Sequence, residues 1–212
     1  QAEVDSFQAT YGGGGTCDRV LGSLLISGVD ITDLTPLQAI REIQGGLIVY
    51  RNESLTSLKG LSGLETVGLY LRIRENPALQ NLDGLSSLAT VGCSYGEPLR
   101  WSVLIYDNPS LLNINGLSGI TRTDCDISIV NNPALKNLDG LSGLVSIGRD
   151  LEVYENTSLT DISGLSGLRE VGYSFVGIGI ADSLISDVDA LSSVEKAGDL
   201  SLWNNKMLSD CS

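Results

Sequence analysis

An all-β chain wound as a right-handed parallel β-helix of about seven to eight coils is the fold this sequence predicts, and three observations predict it. Asparagines recur at Asn52, Asn76, Asn108, Asn132 and Asn156, with spacings of 24, 32, 24 and 24 residues. Leucines at 37, 61, 85, 117, 141, 165 and 191 each open a Leu-x-x-[Leu/Ile/Val] unit with the same basic period. The units also switch their apolar spacing, from two residues to three, and most carry glycine where the spacing is three.

The unit starting at Leu71 shows why the coil forms. Leu71 and Ile73 alternate with Arg72 and Arg74, which is the period of a strand with one face inward. Leu79, Leu82, Leu85, Leu88 and Val91 then follow at intervals of three. A helix per repeat is the competing reading of that run. It is rejected because Gly84, and in most units a second glycine after Leu-Ser, would each cost about 1 kcal/mol in a helix. Short strands joined by tight bends fit instead. Adjacent coils then lie about 4.8 Å apart, giving a prism roughly 35 Å long with a continuous aliphatic interior.

The ends and two coils are irregular. Val4, Phe7 and Tyr11 have helical spacing, which predicts a short N-terminal helix capping the first coil over residues 1–16, with Gly12 to Gly15 as a turn. The solenoid then occupies residues 17–212. Residues 92–101 hold an eight-residue insertion, and residues 172–185 lack the asparagine signature. The chain begins with Gln1 rather than Met, so it reads as a mature or trimmed product. Its longest apolar runs are too short to span a bilayer as a helix.

Composition removes several functions. The formal charge is −13, which opposes binding to nucleic acid. Histidine is absent, so Ser-His-Asp, Cys-His and the usual zinc sites are excluded. Asp83, Asn115 and Asp139 share one column, and Asp124, Asp126, Asp150 and Asp161 are further carboxylates near bends. They lack the repeated Asp-rich signature of calcium solenoids, so a solvated surface is expected. No catalytic residue, metal ligand or cofactor is assigned.

Three sets of residues stand out. The asparagine column, with a sixth member at Asn205, is read as an inward ladder that bonds turn backbone groups. Asn52-Glu53-Ser54 and Asn156-Thr157-Ser158 match the glycosylation sequon, but an inward ladder leaves no room for sugar, so neither is expected to be modified. Cys93 and Cys125 fall at matching places in successive coils, within disulfide reach, and a bridge is predicted; two free buried thiols are the alternative. Cys17 and Cys211 lie at opposite ends and should not pair with each other.

The third set is the outward face of the leading strands. One column reads Tyr50, Arg74, Tyr106, Val130, Tyr154, Trp203, and its neighbour reads Ile48, Arg72, Leu104, Ser128, Glu152, Ser201. Four of six residues in the first are aromatic, in a chain that is 5% aromatic. Aromatic residues with arginine mark binding faces, although they also suit exposed strands for their own sake. Tyr50, Arg72, Arg74, Tyr106, Tyr154, Trp203 and Trp101 are the candidate ligand-binding residues, with Tyr95, Arg100 and Trp101 of the insertion as a rim.

The motif Leu-x-Ile-x-x-Asn-Pro-x-Leu-x-x-Leu-x-Gly-Leu-x-x-Leu-x-x-Val-Gly at 71–92, repeated with Ile127 and Ile147 as substitutes at 127–148, resembles the receptor L domain. The opening from Cys17 to Gly28 is similar to the start of that domain. Its regularity resembles secreted microbial surface members more than the insulin and epidermal-growth-factor receptors. The resemblance implies a leucine-rich β-helix that binds ligands outside the cell. The function expected is therefore a non-enzymatic recognition or adhesion module, secreted or at the cell surface, with a protein or glycan partner and a place in a longer multidomain chain. The alternatives are a polysaccharide-active β-helix enzyme, an ice-binding face, or a structural spacer.

Overall fold

The structure is a computed structural model, and it describes residues 1–7, 16–93, 101–172 and 176–208. Eight strands, one per coil, form a single parallel sheet. They are β1 Leu24–Ile26, β2 Leu47–Tyr50, β3 Leu71–Arg74, β4 Trp101–Tyr106, β5 Asp126–Val130, β6 Leu151–Tyr154, β7 Ile178–Ala181 and β8 Leu200–Trp203. The sheet runs in chain order, so each lap places its strand beside the previous one. Leu47 aligns with Leu71, Leu71 with Val103, Val103 with Ile127 and Ile127 with Leu151. These inward residues, with Val49, Ile73, Ile105, Ile129 and Val153, are buried in one continuous core. A parallel β-solenoid is therefore the fold, as the period requires.

A second side of the prism carries two-residue strands, such as Thr66–Val67 and Thr90–Val91, paired in a four-stranded and a three-stranded sheet. The third side differs from the expected strands joined by bends. Each coil there makes a single 3-10 turn, at Thr35–Leu37, Lys59–Leu61, Asp83–Leu85, Asn115–Leu117, Asp139–Leu141, Ser163–Leu165 and Asp189–Ser193. This accounts for the spacing of three. A 3-10 helix has three residues per turn, so Leu82, Leu85 and Leu88 all point inward. A side chain two residues ahead bonds the first backbone N–H of each turn: the acceptors are Asp33, Ser57, Asn81, Asn113, Asn137, Asp161 and Asp187. Aspartate, asparagine and serine recur there because they form such turns locally.

Glycine in these turns has a role beyond ending helices. A Cβ on Gly60, Gly84, Gly116, Gly140 or Gly164 would strike the carbonyl of Leu34, Leu58, Leu82, Ile114 or Leu138 in the coil below. The terminal turns escape the rule, with Pro36 in the first and Ala190 in the last.

The asparagine ladder forms as expected. Asn52, Asn76, Asn108, Asn132 and Asn156 are fully buried. The Nδ2 of each of the first four donates to the Oδ1 of the next, at 2.9, 3.0, 3.2 and 3.3 Å. Each also donates to a strand carbonyl of the preceding coil, as Asn108 does to Ile73 at 3.0 Å. The residue before each asparagine is left-handed, at φ 53–57° from Arg51 to Glu155, and that sharp corner turns the amide inward. The irregular seventh coil keeps the corner at Asp182 but has Ser183 in the asparagine place, bonded to Asn205 Oδ1 at 2.7 Å.

At the N-terminus the expected helix is one turn, Ala2–Asp5, with Val4 buried against the first coil and Phe7 packed on the core. Tyr11 and Gly12 to Gly15 lie outside the described residues. Cys93 and Cys125 form the predicted disulfide, with Cα atoms 5.6 Å apart. Cys17 Sγ donates to the Arg19 carbonyl at 3.5 Å, and Cys211 lies outside the described residues.

Candidate functional site

The broad sheet brings the predicted face together, with a correction to its columns. Tyr50, Arg74, Tyr106, Val130 and Tyr154 are in register, and Ala181 stands between Tyr154 and Trp203. The neighbouring column likewise gains Gly179 between Glu152 and Ser201. Both additions come from the seventh coil, whose missing asparagine hid its register. Ser128 keeps its outward place between Leu104 and Glu152 but is covered there, with Glu152 beside it. None of the aromatic candidates is buried: Tyr50, Tyr154 and Trp101 are half-buried, Tyr106 is 38% exposed and Trp203 is 53% exposed.

The face has three zones. In the second and third coils, tyrosine and arginine stack. The Arg74 guanidinium lies 4.2 Å from the Tyr50 ring centroid, Arg51 covers the same ring at 4.8 Å, and Arg72 lies 4.1 Å from Tyr70. Glu75 holds Arg51 through Oε2 at 2.7 Å and reaches Arg74 Nη1 through Oε1 at 3.6 Å. Tyr70 and Arg51 belong to this zone although the strand alternation does not select them. Both sit at bends flanking a strand, where period-two reasoning stops.

In the middle zone, Glu152 lies beside Ser128 and Trp101, whose side chains favour its charged form but less than burial opposes it. Burial pushes its carboxyl above the ordinary glutamate range, and the nearby Asp126 and Asp150 add to that. Asp126 and Asp150 are themselves buried at the corner leading into the strands. Asp126 Oδ1 accepts from Arg149 Nε and Asp150 N–H, both at 3.1 Å, and Asp150 Oδ1 accepts from Gly177 N–H at 2.7 Å. Burial raises the Asp126 pKa against these bonds. These carboxylates brace successive coils. Among the described residues, no group of three or more His, Cys, Asp or Glu side chains is placed to hold a metal ion.

The third zone is aromatic. The Tyr154 and Trp203 ring centroids are 5.8 Å apart although a whole coil separates their strands. Tyr154 reaches across because the seventh coil offers only Gly179 and Ala181 there; a Cβ on Gly179 would collide with the Tyr154 hydroxyl. The proposed rim residues Tyr95 and Arg100 lie outside the described residues, and Trp101 opens β4 beside the middle zone. A separate cavity of about 760 Å³ at the N-terminal end, lined by Val4, Phe7, Leu24, Ile26 and Leu37 among others, is the open end of the core beneath the cap.

Residues 16–69 match the receptor L domain family. A crystal structure of an internalin (inlF) from Listeria monocytogenes str. 4b F2365 is similar over 97% of this chain and 79% of its own, with 11% sequence identity and a TM-score of 0.31. Comparison with curated proteins found no match. No helix among the described residues is long and apolar enough to cross a membrane.

Proposed function

We propose that this chain is a non-enzymatic recognition module, secreted or held at a cell surface, that presents the outward face of its eight-stranded sheet to a protein partner. The observation that carries this reading is the composition and placement of the face. Tyr50, Tyr106, Tyr154 and Trp203 share one rank with Arg74 on strands locked by the core and the asparagine ladder. Rigid aromatic side chains bury area with little loss of conformational freedom, and arginine and tyrosine dominate binding hot spots. The receptor L domain match over 16–69 and the disulfide support an extracellular setting. The carboxylates, taken up in caps and corners, favour binding over hydrolysis.

The strand face itself measures roughly 34 Å by 13 Å from strand spacing and rise. A standard interface takes about 800 Å² from each partner. A partner must therefore overhang the bends, where Tyr70, Arg51 and Trp101 extend the surface. The test screens the immobilised chain against arrays of extracellular proteins and of glycans. A protein hit lost in the Tyr106→Ala/Trp203→Ala double variant, with the circular dichroism spectrum unchanged, is the expected result. A hit retained by that variant overturns the use of this face, and a hit confined to glycans overturns the choice of a protein partner.

A further inference from the structure

We infer that the free edge of β1 is a second binding site, which takes an extended segment of a partner protein as an added strand. The segment carries two apolar side chains one residue apart, flanked by a lysine or arginine. The site lies at the N-terminal end of the solenoid, apart from Tyr106 and Trp203, and goes beyond the proposed use of the sheet face. The observation is an unpaired strand edge beside an open cavity. β1 pairs with β2 and has no strand on its other side. The Leu24 N–H points to β2, where it donates to the Gly46 carbonyl at 2.9 Å. Alternate residues of a parallel strand bond opposite neighbours, so the N–H and C=O of Leu25 point the other way. Among the described residues nothing bonds them. Leu24, Leu25 and Ile26 all line the cavity of about 760 Å³ at this end.

The way the chain covers its first coil keeps this edge open. The N-terminal helix packs on the 3-10 turn Thr35–Leu37. Gln1 fastens it to the corner before that turn: Nε2 donates to the Asp33 carbonyl at 2.9 Å, and Oε1 accepts from the Thr32 and Asp33 N–H groups at 3.0 and 3.1 Å. Val4 and Phe7 therefore cover the core from the third side of the prism without adding a strand to the sheet. Ile26, Ile31 and Leu37 are buried beneath them, whereas Val20 and Leu24 are only half-buried. In the next coil Ile48, the partner of Leu25 in register, has β1 beside it. A strand edge left like that of β1 is a template for a further strand.

The geometry sets the chemistry of the segment. A strand laid in register on β1 accepts the Leu25 N–H and returns an N–H to the Leu25 carbonyl. Its residues beside Leu24 and Ile26 point into the aliphatic cavity, because side chains alternate across a sheet. An acyl chain could use that cavity but would leave the Leu25 groups unpaired. The rim sets the charge. Arg19 is met by Glu42 at 2.8 Å and Asp30 by the Gln1 ammonium at 2.9 Å, which leaves Glu3 as the lining carboxylate without an ion pair among the described residues. Asp5, Asp18 and Asp33 belong to the same end of the solenoid. A cationic flank is attracted here, whereas a second copy carrying −13 and the same carboxylates is repelled.

The test needs no identified partner. Backbone amide resonances of the whole chain are followed by NMR at low salt. The probes are Ac-Lys-Ile-Thr-Ile-NH2, the same peptide N-methylated at its last two residues, and Ac-Glu-Ile-Thr-Ile-NH2. The expected result is a saturable shift of the Leu25 amide with the lysine peptide, and weaker binding of the other two. Leu25→Pro removes an N–H that the fold does not use, which an edge strand tolerates. Read on Ile26, it should weaken the lysine peptide roughly fivefold or more. No saturable shift at Leu25 overturns the site. Equal binding of the N-methylated peptide overturns strand pairing, and equal binding of the glutamate peptide overturns the cationic flank. A Leu25 shift that grows with protein concentration in the absence of peptide assigns the edge to a second copy and overturns the partner segment. The Tyr106→Ala/Trp203→Ala variant should bind the lysine peptide as the parent does, so failure of the sheet face and failure of this site are read separately.

Discussion

The Nδ2 of Asn76 donates to the Oδ1 of Asn108 at 3.0 Å, across 32 residues of sequence that amount to a single lap of the solenoid. The same oxygen accepts the Asn76 backbone N–H at 3.2 Å. One amide thus satisfies two buried donors of the coil below, while its own Nδ2 reaches the carbonyls of Ile73 and Tyr106 at 3.0 and 3.1 Å. The inserted residues leave this register intact. Replacing Asn108 by leucine strands the Asn76 backbone N–H, whereas Asn76 Nδ2 keeps the carbonyls of Val49 and Arg74 at 3.1 and 3.0 Å. An orphaned buried donor costs on the order of 1–3 kcal/mol, so a loss of that size is expected in urea denaturation. A loss below about 1 kcal/mol would mean that water replaces the amide.

Coil stacking is predicted to depend on glycine as much as on leucine. A Cβ at Gly116 would meet the Leu82 carbonyl, which is backbone and cannot rotate away. Gly116→Ala should therefore destabilise by about 2–3 kcal/mol, the range for overpacked interiors. The contrast is informative because alanine normally stabilises a turn-forming segment through the unfolded state. Ala190→Gly in the last turn should give no comparable gain, since Ala190 is only partly buried. Thermal denaturation of the two variants measures both effects.

How much of this was legible beforehand depends on what repeats. The 24-residue period located the core, because Leu71, Ile73 and Leu79 must point inward in every lap. It located the ladder and the outward face for the same reason. The 3-10 turns are absent from the sequence reading because the spacing of three is weighed only between an α-helix, which the glycines oppose, and strands joined by bends, although it is the period of that turn. The pairing of Tyr154 with Trp203 was hidden by the seventh coil, where Ser183 replaces asparagine and the register cannot be counted. Tyr70 and Arg51 sit at bends, and no periodicity tells which way a bend residue's side chain will lean. The open edge at Leu25 depends on where the N-terminal helix comes to rest, so it needs three dimensions.

The disulfide should matter for the unfolded chain. Cys93 and Cys125 close a loop of 32 residues that contains the insertion. Chain-entropy reasoning gives about 4 kcal/mol for such a loop. Cys93→Ser/Cys125→Ser, or reduction by dithiothreitol, should lower the unfolding free energy by up to that amount, read as a lower urea midpoint, and leave the circular dichroism spectrum of the folded state unchanged. An unchanged midpoint would show that the denatured chain is already compact across this segment.

Glu152 gives a pH prediction of defined sign. Burial raises its pKa above the ordinary value of 4.5 in the folded state, so the fold favours the neutral acid. The stability it contributes is fully present below the unfolded pKa and is lost as pH rises through the raised folded value. Glu152→Gln keeps an acceptor for Trp101 and cannot ionise. The variant should be more stable than the parent at pH 7, with the advantage shrinking as pH falls through the raised folded value and vanishing below the ordinary glutamate range. Urea denaturation at several pH values checks this, and a parent more stable at pH 7 would show that the charged carboxylate is the form the face retains.

Gly179 separates two explanations for its place in β7. If it were an indifferent strand residue, valine would stabilise the sheet, since β-branched residues suit strands by up to ~1 kcal/mol. Here the space above Gly179 holds the hydroxyl end of Tyr154, whose ring leans toward Trp203 at 5.8 Å. Gly179→Val must push that ring outward and break the aromatic pair. A destabilisation of about 1–3 kcal/mol is expected in place of a gain, together with a change in tryptophan fluorescence, because Trp203 loses the ring beside it while Trp101 is unaffected. Tyr154→Ala/Gly179→Val should recover stability relative to Gly179→Val alone, because the clash is gone. A fluorescence spectrum identical to the parent's would place Tyr154 elsewhere and remove the aromatic zone from the binding face.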